Sequence, residues 1–164
     1  MNGTHFEILT DPLVKKAVEN LSEGQTEKLF ALLSGAKPSA SKTKRNLGDT
    51  SSSSSETFNY YTTVNLFPDG TCRYIFEEDP HVFEGYGYLQ CVGTYTESDS
   101  NLILETMIIQ SFERFGVEPK VGNLKTITFT KSDGKYESQP IMHESAYLTL
   151  FNAKDKNIYN NYIF

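Results

Sequence analysis

From Phe58 onward, apolar and polar positions alternate with a period of two. Phe58, Tyr60, Thr62, Val64 and Leu66 stand against Asn59, Tyr61, Thr63 and Asn65, the pattern of a strand with one buried side. Phe67-Pro68-Asp69-Gly70-Thr71 follows. Proline at the second turn position and glycine at the fourth specify a type I turn closed by a glycine bulge. That turn pairs Phe67 with Thr71, hence Leu66 with Cys72, Val64 with Tyr74 and Thr62 with Phe76. Both strands then turn their apolar residues to one face, so turn chemistry and hydrophobic pattern agree.

The same reading continues down the chain. A long strand is expected from Glu84 to Glu97. A hairpin centred near His81 and Val82 sets Cys72 opposite Cys91, Tyr74 opposite Leu89 and Phe76 opposite Gly87. Glycines at 85, 87 and 93 point to sharp bending, as when a sheet curls on itself. The turn Ser98 to Asn101 places Tyr95 opposite Leu104 and opens a strand from Leu102 to Phe112. Leu124 to Thr130 follows, and the turn Lys131-Ser132-Asp133-Gly134 brings Phe129 beside Tyr136. Ser145 to Asn152 and Asn157 to Phe164 are the last two strands. About eight antiparallel strands suit a mainly β, antiparallel meander β-barrel; a β-sandwich is the alternative.

Ahead of the strands the period is helical. Asp11 before Pro12 is an N-cap followed by proline at the first helical position. Leu13, Val14, Ala17, Val18 and Leu21 then recur on one face. Ser22 with Gln25 forms a capping-box pattern for a second helix, ending in LFALLSG with Gly35 as a left-handed cap. Such short helices need something to dock on, their own barrel or a partner. Residues 36–56, AKPSASKTKRNLGDTSSSSSE, have few apolar side chains to offset the entropy of ordering and read as a Ser/Lys-rich flexible linker. The expected division is therefore a helical segment over 1–35, a linker over 36–56 and a barrel domain over 57–164.

Charge narrows the range of partners. Of 15 basic and 21 acidic side chains, residues 1–56 hold balanced numbers, and the excess of acid falls on residues 57–164. A nucleic acid would be repelled by that domain, since lysine and arginine supply most of the affinity for phosphate backbones. No apolar run has the length of a membrane span, and the N-terminus lacks a basic-then-apolar leader, so a cytoplasmic protein is expected. The two cysteines, Cys72 and Cys91, fit no metal spacing with His5, His81 and His143. Reduced, buried thiols are their expected state, with a cross-bridge as the alternative.

The stretch NLFPDGTCRYIFEE, followed by VGTYTESDSNLILE, has the cadence strand, Asp-Gly-Thr turn, strand, Gly-x-Tyr, turn, Leu-x-Leu. Over residues 64–105 this resembles small lipocalin-like (calycin-type) proteins. The resemblance implies a calycin-type barrel with a small-molecule cavity. The Gly-x-Trp motif of lipocalins has no counterpart, because the chain has no tryptophan, and the resemblance assigns no ligand residue.

Chemistry-bearing clusters are few. Glu77, Glu78, Asp79 and His81 fall in one hairpin loop, where adjacent carboxylates diverge and a solvated acidic turn is expected. His143-Glu144-Ser145 are neighbours in extended chain, whose alternate side chains point apart, so they form no catalytic relay. Aromatic residues make up 13% of the chain, with 10 tyrosines and 11 phenylalanines. Tyrosines turned into a barrel need hydroxyl partners, which a ligand, water, backbone carbonyls or the barrel ends can supply.

The leading expectation is a non-catalytic binding protein with no cofactor and no metal site. Tyr60, Val64, Tyr74, Phe76, Leu89, Tyr95, Leu104, Phe129 and Tyr136 would line a pocket for a small apolar or amphipathic ligand. The alternative is a protein–protein interaction or inhibitor module using the barrel surface or the helical face Leu29, Phe30, Leu32 and Leu33. A barrel cyclase or isomerase stands third.

Overall fold

In a computed structural model, residues 6–49, 60–78, 88–112, 121–138 and 148–152 are described. A short 3-10 helix (Glu7–Thr10) precedes α1 (Pro12–Glu19) and α2 (Glu23–Leu33). The strands are β1 (Arg45–Asp49), β2 (Tyr60–Leu66), β3 (Thr71–Glu78), β4 (Tyr88–Glu97), β5 (Asn101–Phe112), β6 (Leu124–Ser132), β7 (Lys135–Ser138) and β8 (Leu148–Asn152). All neighbours pair antiparallel, and β1 pairs with both β2 and β8, so the sheet closes into a barrel rather than a sandwich.

Closure depends on a segment expected to be linker. Arg45 to Asp49 inserts between β2 and β8, with Leu47 opposite Val64 and Asn152. A strand paired on both edges satisfies its backbone groups without many apolar side chains. One inward residue, the fully buried Leu47, anchors it. The chain just before it is held as well: Ser39 N–H donates to Pro68 O at 2.7 Å. The expected final strand, 157–164, lies outside the described residues, as do 50–56 of the linker.

The β2–β3 register is the expected one, with Leu66 opposite Cys72 and Val64 opposite Tyr74. The β3–β4 register is corrected by two residues: Cys72 faces Gly93, Tyr74 faces Cys91 and Phe76 faces Leu89. A two-residue slip preserves which side chains point inward. The β6–β7 hairpin shifts likewise. Its two-residue turn, Asp133-Gly134 at φ 53° and 78°, pairs Lys131 with Tyr136 and Phe129 with Ser138. These positive φ values are those of a type I′ hairpin turn.

Helix capping follows the sequence. The Asp11 side chain accepts from Leu13 N–H and Val14 N–H, Pro12 starts α1, and Ser22 with Gln25 closes a complete capping box. Gly35 is the exception: it does not take the left-handed conformation, and α2 ends on Ser34 in a right-handed helical conformation.

Two apolar clusters divide the fold. The first fills the barrel and includes Leu47, Val64, Leu66, Tyr74, Phe76, Leu89, Leu104 and Phe129. The second lies outside the barrel, where Ile8, Val14, Ala17, Leu29 and Leu33 pack over Val92, Met107 and Ile109 of β4 and β5. The helices thus dock on their own barrel. Leu29 and Leu33, expected as part of a face for a partner, have no exposed surface, while Phe30 and Leu32 are partly buried in the same cluster.

Candidate functional site

The side chains expected to line a ligand pocket do converge, but on one another. Val64, Tyr74, Phe76, Leu89, Leu104 and Phe129 are each 0% exposed. A side chain with no surface open to a water-sized sphere borders no void that holds a water. Tyr95 packs against this cluster from its edge and Tyr136 belongs to it. Tyr60 has its backbone in β2, and its side chain lies outside the described residues. Cys72 and Cys91 are free thiols within the same interior. Burial pushes both up, Cys91 to about 12, and Cys72 further with a smaller contribution from Cys91.

Polarity gathers at one end of the barrel. Arg45, Glu97 and Lys131 continue the inward-facing rows of Leu47, Tyr95 and Phe129, so alternation alone turns them toward the barrel axis. There they form one cluster with Tyr136. Arg45 is ion-paired to Glu97 Oε1, and Lys131 Nζ to Glu97 Oε2 at 3.0 Å. The Tyr136 hydroxyl donates to Glu97 Oε2 at 3.1 Å. Lys131 also donates to Ser98 O at 2.9 Å, and Tyr95 donates to Phe67 O at 3.0 Å. The protein therefore supplies partners for two of the inward tyrosines itself, one at a backbone carbonyl and one in this polar seal.

The seal perturbs its own members. Burial alone would raise the Glu97 carboxyl, but hydrogen bonds and charge from Arg45 and Lys131 outweigh it and hold the group below the ordinary glutamate range. Burial alone would lower Arg45, and Glu97 more than offsets it. Burial first, then the Glu97 charge, pushes the Tyr136 phenol up. A carboxyl depressed in the folded state adds stability above its unfolded pKa, and that stability disappears as pH falls through the folded value. Glu97→Gln is therefore expected to flatten the acid side of the stability profile. Urea midpoints measured from pH about 6 to about 3, across the carboxylate range, check this; a variant as steep as the wild type contradicts it.

Immediately beside the seal lies an open cleft of about 510 Å³. Lys37, Pro38, Ser39 and Ala40 supply one part of its lining, and Tyr95, Thr96, Glu97, Ser98, Asp99 and Lys131 supply the rest. The close approach of the chain around Lys37 to the β2–β3 turn requires Gly70, at φ 93°, where an added Cβ would stand 2.1 Å from Lys37 O. Sequence reasoning finds Tyr95 and misses the others. Lys37 and the serines carry no periodic signal, and Lys131 falls on the inward row of Phe129 but within a stretch expected to be turn. The wall they form depends on residues 37–40 folding back over the β2–β3 turn.

Other candidates fare differently. Glu77, expected in a solvated acidic turn, belongs to β3 and is buried; Asp79 and His81 lie outside the described residues. His143, Glu144 and Ser145 lie outside them too. Among the described residues, no three of His, Cys, Asp and Glu converge as a metal site would require, and no helix is long and apolar enough to cross a membrane. No protein-family model, curated protein or solved structure matches the chain.

Proposed function

We propose that this chain is a non-catalytic binding protein for a small amphipathic molecule, and that the molecule is taken in the cleft beside the polar seal. The observation that carries the reading is the contrast, among the described residues, between six inward side chains with no exposed surface and an open cleft at the rim. The barrel interior borders no water-sized space at six of its expected lining residues, whereas the cleft offers about 510 Å³. That volume falls within the roughly 300–1,000 Å³ of typical small-molecule sites. Its walls mix apolar surface from Pro38, Ala40 and the Tyr95 ring with hydroxyls and charges, which suits a ligand with one polar and one apolar end. The lipocalin-like cadence of residues 64–105 is compatible with a binding role, with the site moved from the barrel's inside to its rim.

The test fills the cleft without touching the core. Ala40 is exposed and lines the cleft, so Ala40→Trp places an indole in the proposed ligand space. For any amphiphile that calorimetry or native mass spectrometry detects on the wild type, A40W is expected to weaken binding about tenfold or more, ~1.4 kcal/mol, with the melting temperature unchanged. Undiminished binding to A40W would return the site to the barrel interior. A wild type that takes up no member of an amphiphile panel would remove the reading altogether.

A further inference from the structure

The cluster that seals the barrel end holds more positive charge than it neutralises. Glu97 is one carboxylate shared by two cations, Arg45 and Lys131. Donors are left over as well. An ammonium has three N–H bonds, and Lys131 commits two, to Glu97 Oε2 and to Ser98 O. Arg45 Nε is buried and meets no hydrogen-bond acceptor among the described residues. Lys37 lines the same cleft and is exposed, and among the described residues no carboxylate pairs with it. The carboxylates facing the cleft are Glu97, already engaged by Arg45, Lys131 and Tyr136, and Asp99 at the exposed β4–β5 turn. In a chain of net charge −6, this local surplus runs against the general field.

We infer that the cleft holds its amphiphile by an anionic head, a carboxylate or a phosphate, set against Lys131 and Lys37, with the apolar part along Pro38, Ala40 and Tyr95. The inference rests on the cleft being the binding site. An anionic head completes the coordination of the spare ammonium donors, since hydrogen bonds between ionised partners are the stronger kind. A neutral head gains less from the same donors, and a cationic head is repelled. Because Lys37 is exposed and Lys131 partly so, each contact is modest and screened by salt. The preference is therefore a matter of several-fold, and it collapses at high ionic strength.

Four eight-carbon probes with one tail and different heads separate the terms: octanoate, octyl phosphate, octanol and octylammonium. They are titrated, below their micelle concentrations, into the full-length ¹⁵N-labelled protein, and amide shifts report both site and affinity. Octanoate and octyl phosphate are expected to move the amides of Lys37, Ser39, Tyr95, Ser98 and Lys131, and to bind about five- to tenfold tighter than octanol. Lys37→Gln, at an exposed position outside the seal, is expected to weaken both anions about two- to fivefold and leave octanol unchanged. Raising the salt is expected to erase the difference between anion and alcohol. Octanol binding in the cleft as tightly as the anions, or octylammonium binding tighter, overturns the anionic head and leaves the cleft standing as a site. Shifts confined to core amides, or no shifts with any probe, overturn both. If phosphate exceeds carboxylate, the head is dianionic; the reverse order assigns a carboxylate.

Discussion

Gly93→Ala is expected to cost about 3–5 kcal/mol, a large share of the roughly 5–15 kcal/mol by which a domain this size is stable. Gly93 lies in the middle of β4, opposite Thr106 of β5 and Cys72 of β3. A Cβ built there would stand 2.0 Å from Glu105 O and 2.6 Å from Thr106 Cα. Both are backbone atoms of a paired strand, so no side chain can swing aside to make room. The strands must separate, and ladder hydrogen bonds with them. Overpacking in a deformable core costs about 1–3 kcal/mol; a backbone clash between two paired strands of a closed barrel exceeds that. Gly24 provides the control. It lies in the first turn of α2, and a methyl group added there would meet nothing within 4 Å. Gly24→Ala is expected to stabilise by up to about 1 kcal/mol. Urea unfolding of the two variants decides the matter. If Gly93→Ala costs less than about 1 kcal/mol, the two strands are not pressed together as described.

Gly93 also shows what the sequence discloses and what it withholds. A glycine inside a strand pattern signals bending, and at this one β4 and β5 close on each other. Which neighbour it touches depends on register. The β2–β3 register is legible because Pro68, Asp69 and Gly70 fix the turn geometry locally, and Gly70 adopts the positive φ that the turn requires. No such turn signal joins β3 to β4, and the centre of that hairpin rests on hydrophobic matching alone. Matching on alternate residues cannot distinguish slips of two, because both registers bury the same faces. The described inward residues of β3 and β4 are the expected ones for that reason, while the β4 partners of Cys72, Tyr74 and Phe76 are not.

The omissions share a different cause. β1 contributes one buried apolar side chain, Leu47, within a stretch dominated by serine, lysine and threonine. Its stability comes from backbone pairing to β2 on one edge and β8 on the other, a property of closure that no local window contains. The cleft inherits the same invisibility, since Lys37 to Ala40 reach it only because the chain returns to start β1. The outward rows of β2, β3 and β4 withhold something similar. Asn65, Arg73 and Gln90 there are 0% exposed. A polar residue on the outward row of a strand reads as solvated until a helix is laid over it.

Arg73 carries the second large prediction, that Asp11→Ala costs about 3 kcal/mol rather than the roughly 1 kcal/mol of a lost helix cap. The two carboxylate oxygens of Asp11 divide their work. Oδ1 accepts from Leu13 N–H at 2.9 Å and from Val14 N–H at 3.4 Å, while Oδ2 stands 2.9 Å from Arg73 Nη1. Arg73 Nε donates to Asn65 Oδ1 at 3.0 Å, and Asn65 Nδ2 donates to Asn46 Oδ1 at 2.7 Å. A single aspartate thus caps α1 and ties it to a polar chain running across β3, β2 and β1. Removing it leaves a fully buried guanidinium with one counter-charge fewer, the costly case for an ion pair in a low dielectric. Arg73→Met keeps much of the length of the side chain and removes the charge that Asp11 answers. In that background Asp11→Ala is expected to cost only its cap, so the double-mutant cycle should return a coupling of about 1–2 kcal/mol. Additive losses, with Asp11→Ala near 1 kcal/mol in both backgrounds, would mean that the helices are held to the barrel by their other contacts, without help from the Asp11–Arg73 pair. Those contacts include the apolar packing of Val14, Leu29 and Leu33 and the Gln25 hydrogen bond to Val121 O. A coupled cycle makes the N-terminal helices part of the barrel's own stability, which leaves the cleft, lined by none of their residues, free to serve a ligand.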